Sequence, residues 1–86
     1  MRISRTPKFK KQYNKLPQNF QKQVDKQLSF LIRDFRHPSL KSRKMSGNHN
    51  VFEARISKGY RMRYQVANDE IILLTVGPHD IGLGKQ

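Results

Sequence analysis

Cysteine is absent from the 86 residues, which excludes a disulfide framework and a thiolate-bound zinc site. Tryptophan is absent as well, so five Phe and three Tyr are the large groups on which a core can be built. Long apolar runs are missing. The longest, Ile71–Val76 broken only by Thr75, is far too short to span a bilayer. The opening stretch MRISRTPKFKK holds no apolar segment of the kind a signal peptide needs. A soluble, cytoplasmic protein with no membrane partner is therefore expected. The length is that of a single domain over residues 1–86. With no covalent or metal staple, a domain this small depends on a compact apolar core or on a bound partner.

Acidic residues are also scarce. Six Asp and Glu face 18 Lys and Arg, a net charge of +12. Such a surplus attracts polyanions and opposes self-association. The basic residues are not confined to one face of an amphipathic helix, which favours nucleic acid over an anionic membrane. The charge is uneven: Met1–Met45 holds thirteen basic residues and two acids, and Ser46–Gln86 holds five and four. The first half supplies the bulk field, and the few Arg of the second half have to be read singly.

Arg2–Arg5 reads as a short strand. Thr6-Pro7 is a helix start, Thr as N-cap and Pro in the first turn. Phe9, Tyr13 and Leu16 follow at helical spacing, and Pro17 restarts the chain as a second helix with the stripe Phe20, Val24, Leu28, Leu31, Ile32 and Phe35. His37-Pro38 is expected to end it, with His37 structural at the helix terminus. The period then changes. Leu40–Met45 is a possible short strand, and Gly47–Asn50 is a turn by composition. Val51–Ile56 and Tyr60–Val66 alternate, and Ile71–Val76 reads as a central strand covered on both faces. The expected class is α+β: an N-terminal strand and a helical hairpin packed on one face of a mainly antiparallel sheet.

The alternation sends Glu53, Arg55, Arg61 and Arg63 to the face away from the helices. Guanidinium is planar, permanently charged and suited to phosphate oxygens. The same residues would also make a solvated face of cross-strand charge pairs. Lys41, Arg43 and Lys44 form a basic run before the sheet, either an RNA backbone clamp or a basic edge that discourages edge pairing. His49 sits in a turn. His79 follows the apolar strand after Gly77-Pro78, and imidazole suits general acid–base work near neutral pH. The three His are too scattered for a metal site, and Gly82 and Gly84 do not form a nucleotide-binding loop.

The stretch VFEARISKGYRMRYQVANDEIILLTVGPHD, preceded by the basic helical hairpin ending at Arg36-His37-Pro38 and by Leu40-Lys41 and Gly47, resembles the RelE/ParE superfamily of toxin–antitoxin toxins. The resemblance spans essentially the whole chain. It implies a compact α+β toxin that cleaves mRNA, often in the ribosomal A site, and is neutralised by an antitoxin. On that resemblance Arg61 matches the strand arginine that stabilises phosphate charge, and His79 matches the terminal His that some members use as general acid. Glu53 and Arg55 fall on the strand flanking the groove, Glu53 as the general base or as the residue that orients Arg55 or Arg61. Arg55 and Lys44 are rival bases. Lys41, Arg43, Lys44 and Arg63 are expected to bind RNA. No Tyr follows Tyr64 to match members that use a terminal Tyr. No metal or cofactor is expected, and the partners implied are mRNA, the ribosome and the antitoxin. Two other functions stay open: inhibition of DNA gyrase by the same fold, and a non-catalytic basic module that binds RNA or the ribosome.

Overall fold

A computed structural model describes residues 2–45, 47 and 50–78. The chain opens with strand β1 (Arg2–Arg5) and turns into helix α1 (Pro7–Lys15). Thr6 makes that turn. Its extended backbone lets the hydroxyl accept from Phe9 N at 3.1 Å while donating to Leu74 O at 3.1 Å, so one side chain caps the helix and ties it to the sheet. Pro17 interrupts the helical ladder, and α2 (Gln18–Arg33) starts at once. Gln21 Nε2 donates to Tyr13 O at 2.9 Å, a carbonyl that also accepts from Leu16 N at the end of α1, and so ties the two helices together.

Helix α2 stops at Arg33, with Asp34 as its C-cap, and not at His37-Pro38 as the sequence suggested. The physical reason is local: Asp34 Oδ1 accepts from Arg36 N at 3.0 Å, an alternative to continuing the helix. His37 instead caps a single 3₁₀ turn over Pro38–Leu40, its Nδ1 accepting from Ser39 N at 3.1 Å and its ring stacked on Phe30. The strand expected over Leu40–Met45 shrinks to β2 (Arg43–Lys44), because this turn takes up Leu40 and buries it in the core.

Strands β3 (Val51–Ser57), β4 (Tyr60–Ala67) and β5 (Glu70–Pro78) form the antiparallel meander. The sheet order is β1-β5-β4-β3-β2, with β1 parallel to β5 and the remaining pairs antiparallel. The first and last strands are thus neighbours. Phe9, Val24, Leu28 and Leu31 of the helices meet Ala54, Ile56, Met62, Tyr64, Ile71, Leu73 and Val76 of the sheet in one buried cluster. The α+β architecture with a helical hairpin on one sheet face is as the pattern predicted. The expectation that β5 is covered on both faces is corrected: Ile71, Leu73 and Val76 are buried, whereas Ile72, Leu74 and Thr75 are only half-buried. A bulge explains the spacing. The β4–β5 register shifts between Arg63 and Tyr64, so Leu74 is the extra residue and the inward set steps from Leu73 to Val76. Among the described residues, no helix is long and apolar enough to cross a membrane.

Candidate nucleic-acid interface

Residues directly opposite on neighbouring strands share a face of the sheet. Two rows follow from the register on the face away from the helices. The first is Arg43–Glu53–Arg63–Thr75, and the second is Arg55–Arg61–Gly77. In the first row the acid sits between two cations. Glu53 is 4% exposed, with Oε2 at 3.4 Å from Arg63 Nε and Oε1 at 3.9 Å from Arg43 Nη2. Its partners are therefore Arg63 and Arg43, not Arg55 or Arg61 as the orienting role assumed; the pleat places Arg55 and Arg61 one row away.

The second row has no acid. Arg55 and Arg61 stand directly opposed, a like-charge pair that destabilises an empty sheet. Arg61 Nη1 donates to Ser57 O and Tyr60 O, each at 3.0 Å, and is anchored in the β3–β4 turn. The rest of its guanidinium has no partner among the described residues. Arg55 is held by its backbone: its carbonyl accepts from Gln27 Nε2 at 2.6 Å, beside the register shift between Arg55 and Ser57. Gln27 is 7% exposed and also donates to Ser39 O at 3.0 Å, so α2 fixes β3 and the 3₁₀ turn together.

Two hollows meet over these rows. One, of about 280 Å³, is lined by Lys41, Arg43, Glu53, Arg55 and Arg61. Lys41 enters it from a left-handed backbone (φ 47°, ψ 42°) just after the 3₁₀ turn, a conformation that costs a non-glycine residue roughly 1–2 kcal/mol. Strain of this kind persists where the surroundings enforce it. Here the enforcing contact is Tyr64, whose buried hydroxyl donates to Phe35 O at 3.1 Å and accepts from Ser42 Oγ at 2.9 Å, clamping both ends of the segment that carries Lys41. Burial raises the Tyr64 pKa above its ordinary value, with the Ser42 hydrogen bond opposing it. The second hollow, of about 590 Å³, shares Glu53 and Arg61 with the first and extends past Arg63 and Thr75 to a wall formed by Lys8, Gln12 and Lys15 of α1. The two form one groove with cations along its length and a neutralised acid at its centre.

The structure thus brings together Lys41, Arg43, Glu53, Arg55, Arg61 and Arg63. It does not bring in Lys44, which pairs with Phe52 and so lies on the opposite face from Arg43. The sequence reading grouped the two by adjacency, and the period of two along a strand separates them. His49 and His79 lie outside the described residues; Pro78, which precedes His79, lines the larger hollow. Lys8, Gln12 and Lys15 were missed. Their spacing of four and three, a polar stripe beside Phe9, Tyr13 and Leu16, is the signal they carry.

None of the curated proteins matches the sequence. The fold is shared with solved toxins at low identity. The E. coli RelBE toxin–antitoxin complex contains a chain 22% identical, with a TM-score of 0.76 and 90% of this chain and 94% of that one covered. A chain of the RelB–RelE antitoxin–toxin complex from Methanococcus jannaschii is 19% identical, with a TM-score of 0.80 and coverage of 95% and 96%. YafQ from E. coli strain BL21(DE3) is 13% identical, with a TM-score of 0.80 and coverage of 98% and 100%. The family model for the ParE toxin of the type II toxin–antitoxin system parDE matches residues 3–81, nearly the whole chain. With the strand–hairpin–meander order and the basic outer sheet face, that match identifies the chain as a type II toxin of the RelE/ParE superfamily.

Proposed function

We propose that this toxin is an endoribonuclease that cleaves mRNA in association with the ribosome, without a metal, and that a cognate antitoxin holds it in check. The observation that carries the reading is the Arg55–Arg61 pair, two arginines directly opposed in the strand register with no acid in their row. An anion between them relieves their repulsion, and a phosphodiester is the anion that a planar donor pair fits.

RNA cleavage of this type uses the 2′-OH as nucleophile on the adjacent phosphorus. The bond to the 5′-oxygen breaks, leaving a 2′,3′-cyclic phosphate and a 5′-hydroxyl. Charge develops on the non-bridging oxygens, where preorganised donors act most strongly. Arg61, anchored through Nη1, and Arg55 take that role. Glu53 takes the 2′-OH proton, and Arg43, at 3.9 Å the longer of its two contacts and on an exposed side chain, is the partner that gives way. His79 protonates the leaving 5′-oxygen. Lys41, Arg43 and Arg63 hold the flanking backbone. The RelBE and RelB–RelE relatives are complexes with antitoxins, and an acidic or amphipathic antitoxin segment would complement the groove.

The test is primer extension on an mRNA in a translating extract, with wild type beside Arg61→Ala and His79→Ala. Discrete new 5′ ends that disappear in both variants are expected. Arrested translation or growth without new ends overturns the nuclease reading. A supercoiling assay then separates gyrase inhibition from RNA binding without cleavage.

A further inference from the structure

One side chain on the α1 wall of the groove is oriented in a way the phosphate chemistry does not require. Where β1 ends, β5 loses its parallel neighbour and its outer backbone groups need other partners. Thr6 serves Leu74 O, and Gln12 Oε1 accepts from Val76 N at 2.9 Å. Only the oxygen of a carboxamide accepts, so this bond fixes which end of Gln12 faces the strand. The amide NH₂ group is left with two donors and no partner among the described residues, on a half-buried side chain that lines the larger hollow.

The surroundings suit one kind of ligand. Lys8 and Lys15 flank Gln12 at neighbouring turns of α1, and Leu16, Pro17 and Val76 add apolar wall. The volume of about 590 Å³ lies in the usual range for small-molecule sites, about 300–1,000 Å³. The hollow joins the Arg55–Arg61 row through Arg61 and Glu53. A single strand with one phosphate on that row can therefore continue into the hollow bounded by the α1 wall. Single-stranded RNA is read through unstacked bases that hydrogen-bond by their edges.

We propose that the cleft between α1 and the sheet is a nucleobase subsite, in which the Gln12 amide NH₂, oriented by the backbone of Val76, donates to an acceptor on the base edge while Lys8 and Lys15 hold the adjoining phosphates. The subsite rests on the reading of the groove as an RNA site and adds a residue that selects among bases. On the base edge that carries O6 and N7 of guanine or O4 of uracil only acceptors meet such a donor, whereas adenine and cytosine place an amino group there. Gln12→Glu separates the two jobs of the side chain, since the carboxylate still accepts from Val76 N but no longer donates.

The experiment measures binding, so it does not depend on cleavage. Five-nucleotide strands, 2′-O-methylated throughout, carry one base (A, G, C or U) at the centre and abasic sugars elsewhere; a fully abasic strand is the reference. Fluorescence anisotropy is read for wild type, Gln12→Glu, Gln12→Met and the Lys8→Ala/Lys15→Ala pair, with thermal unfolding confirming that each is folded. Wild type is expected to prefer the G or U strand over the abasic reference by about fivefold or more, the lower end for a good base contact. Gln12→Glu should bind all strands more weakly and move the preference toward A and C, whose amino groups donate on that edge. Gln12→Met should flatten it, and the Lys pair should weaken all strands alike. Unchanged base order in both Gln12 variants, no preference over the abasic strand, or no binding at all overturns the subsite. A Gln12-dependent preference in a protein that yields no primer-extension ends leaves the subsite standing and removes the nuclease.

Discussion

Tyr64 shows how one residue couples core and groove. Alternation along β4 was enough to place its ring inward, and it is fully buried. What its hydroxyl does there was not legible, because Phe35 and Ser42 are 29 and 22 residues away in sequence. Burial raises its pKa in the folded protein above the unfolded value near 10. The folded state then holds a proton that the unfolded state releases. Stability from this group is full below about pH 10 and is lost as pH rises toward the folded pKa. Tyr13 shifts the same way, by desolvation and by its hydrogen bond to Asp25. Unfolding free energy measured by urea between pH 8 and 12 should fall with a steeper alkaline limb in wild type than in Tyr64→Phe. At pH 8 the variant should be less stable by about 1–2 kcal/mol, the worth of the lost hydrogen bonds. Superimposable limbs would mean that the phenol ionises as it would in water. Glu53 teaches a related lesson: the sequence put it on the right face, but only the register chose Arg43 and Arg63 as its partners over Arg55 and Arg61.

At the scale of elements, the helices and strands of the meander were legible from period and capping, and the connections were not. Thr6-Pro7 and Pro17 mark the helix boundaries by mechanisms that act within a few residues. The segment between α2 and β3 is different. It is organised by Gln27, a buried amide within the apolar stripe of α2 that donates to Ser39 O and Arg55 O. A polar residue in such a stripe looks in sequence like a defect of the pattern. In the structure it is the link that keeps the 3₁₀ turn, and so Lys41, beside Arg55. Gln27→Leu preserves the helix and its apolar face but leaves two carbonyls without that donor. It is expected to cost about 1–3 kcal/mol, seen as a lower urea midpoint with an unchanged m-value. A variant as stable as wild type would show that water or a shifted backbone serves those carbonyls equally well.

At the scale of the molecule, a net charge of +12 guarantees attraction to polyanions, but the fold decides which cations act together. Lys8, Lys15, Lys41, Arg43, Arg55, Arg61 and Arg63 line one groove, while Lys44 is directed to the other face. Binding of a single-stranded RNA should weaken with salt, and each groove cation removed should lower the slope of log K against log salt by about 0.7. Lys8→Ala and Lys41→Ala are expected to do so, and Lys44→Ala to leave the slope as it is. Equal effects from all three would mean that total charge, not the groove, governs binding.

Composition and local pattern by themselves determined the basic character, the helical hairpin, the meander and the face on which Arg55, Arg61 and Arg63 lie, because capping, periodicity and charge act between near neighbours in the chain. The tertiary structure alone decided that Arg55 opposes Arg61 without an acid, that Glu53 pairs with Arg43 and Arg63, that Lys44 turns away, and that Gln12 joins the groove. Each of these depends on strand register, on a bulge, or on the packing of α1 beside β5. Those are contacts between residues distant in sequence, and no local periodicity encodes them.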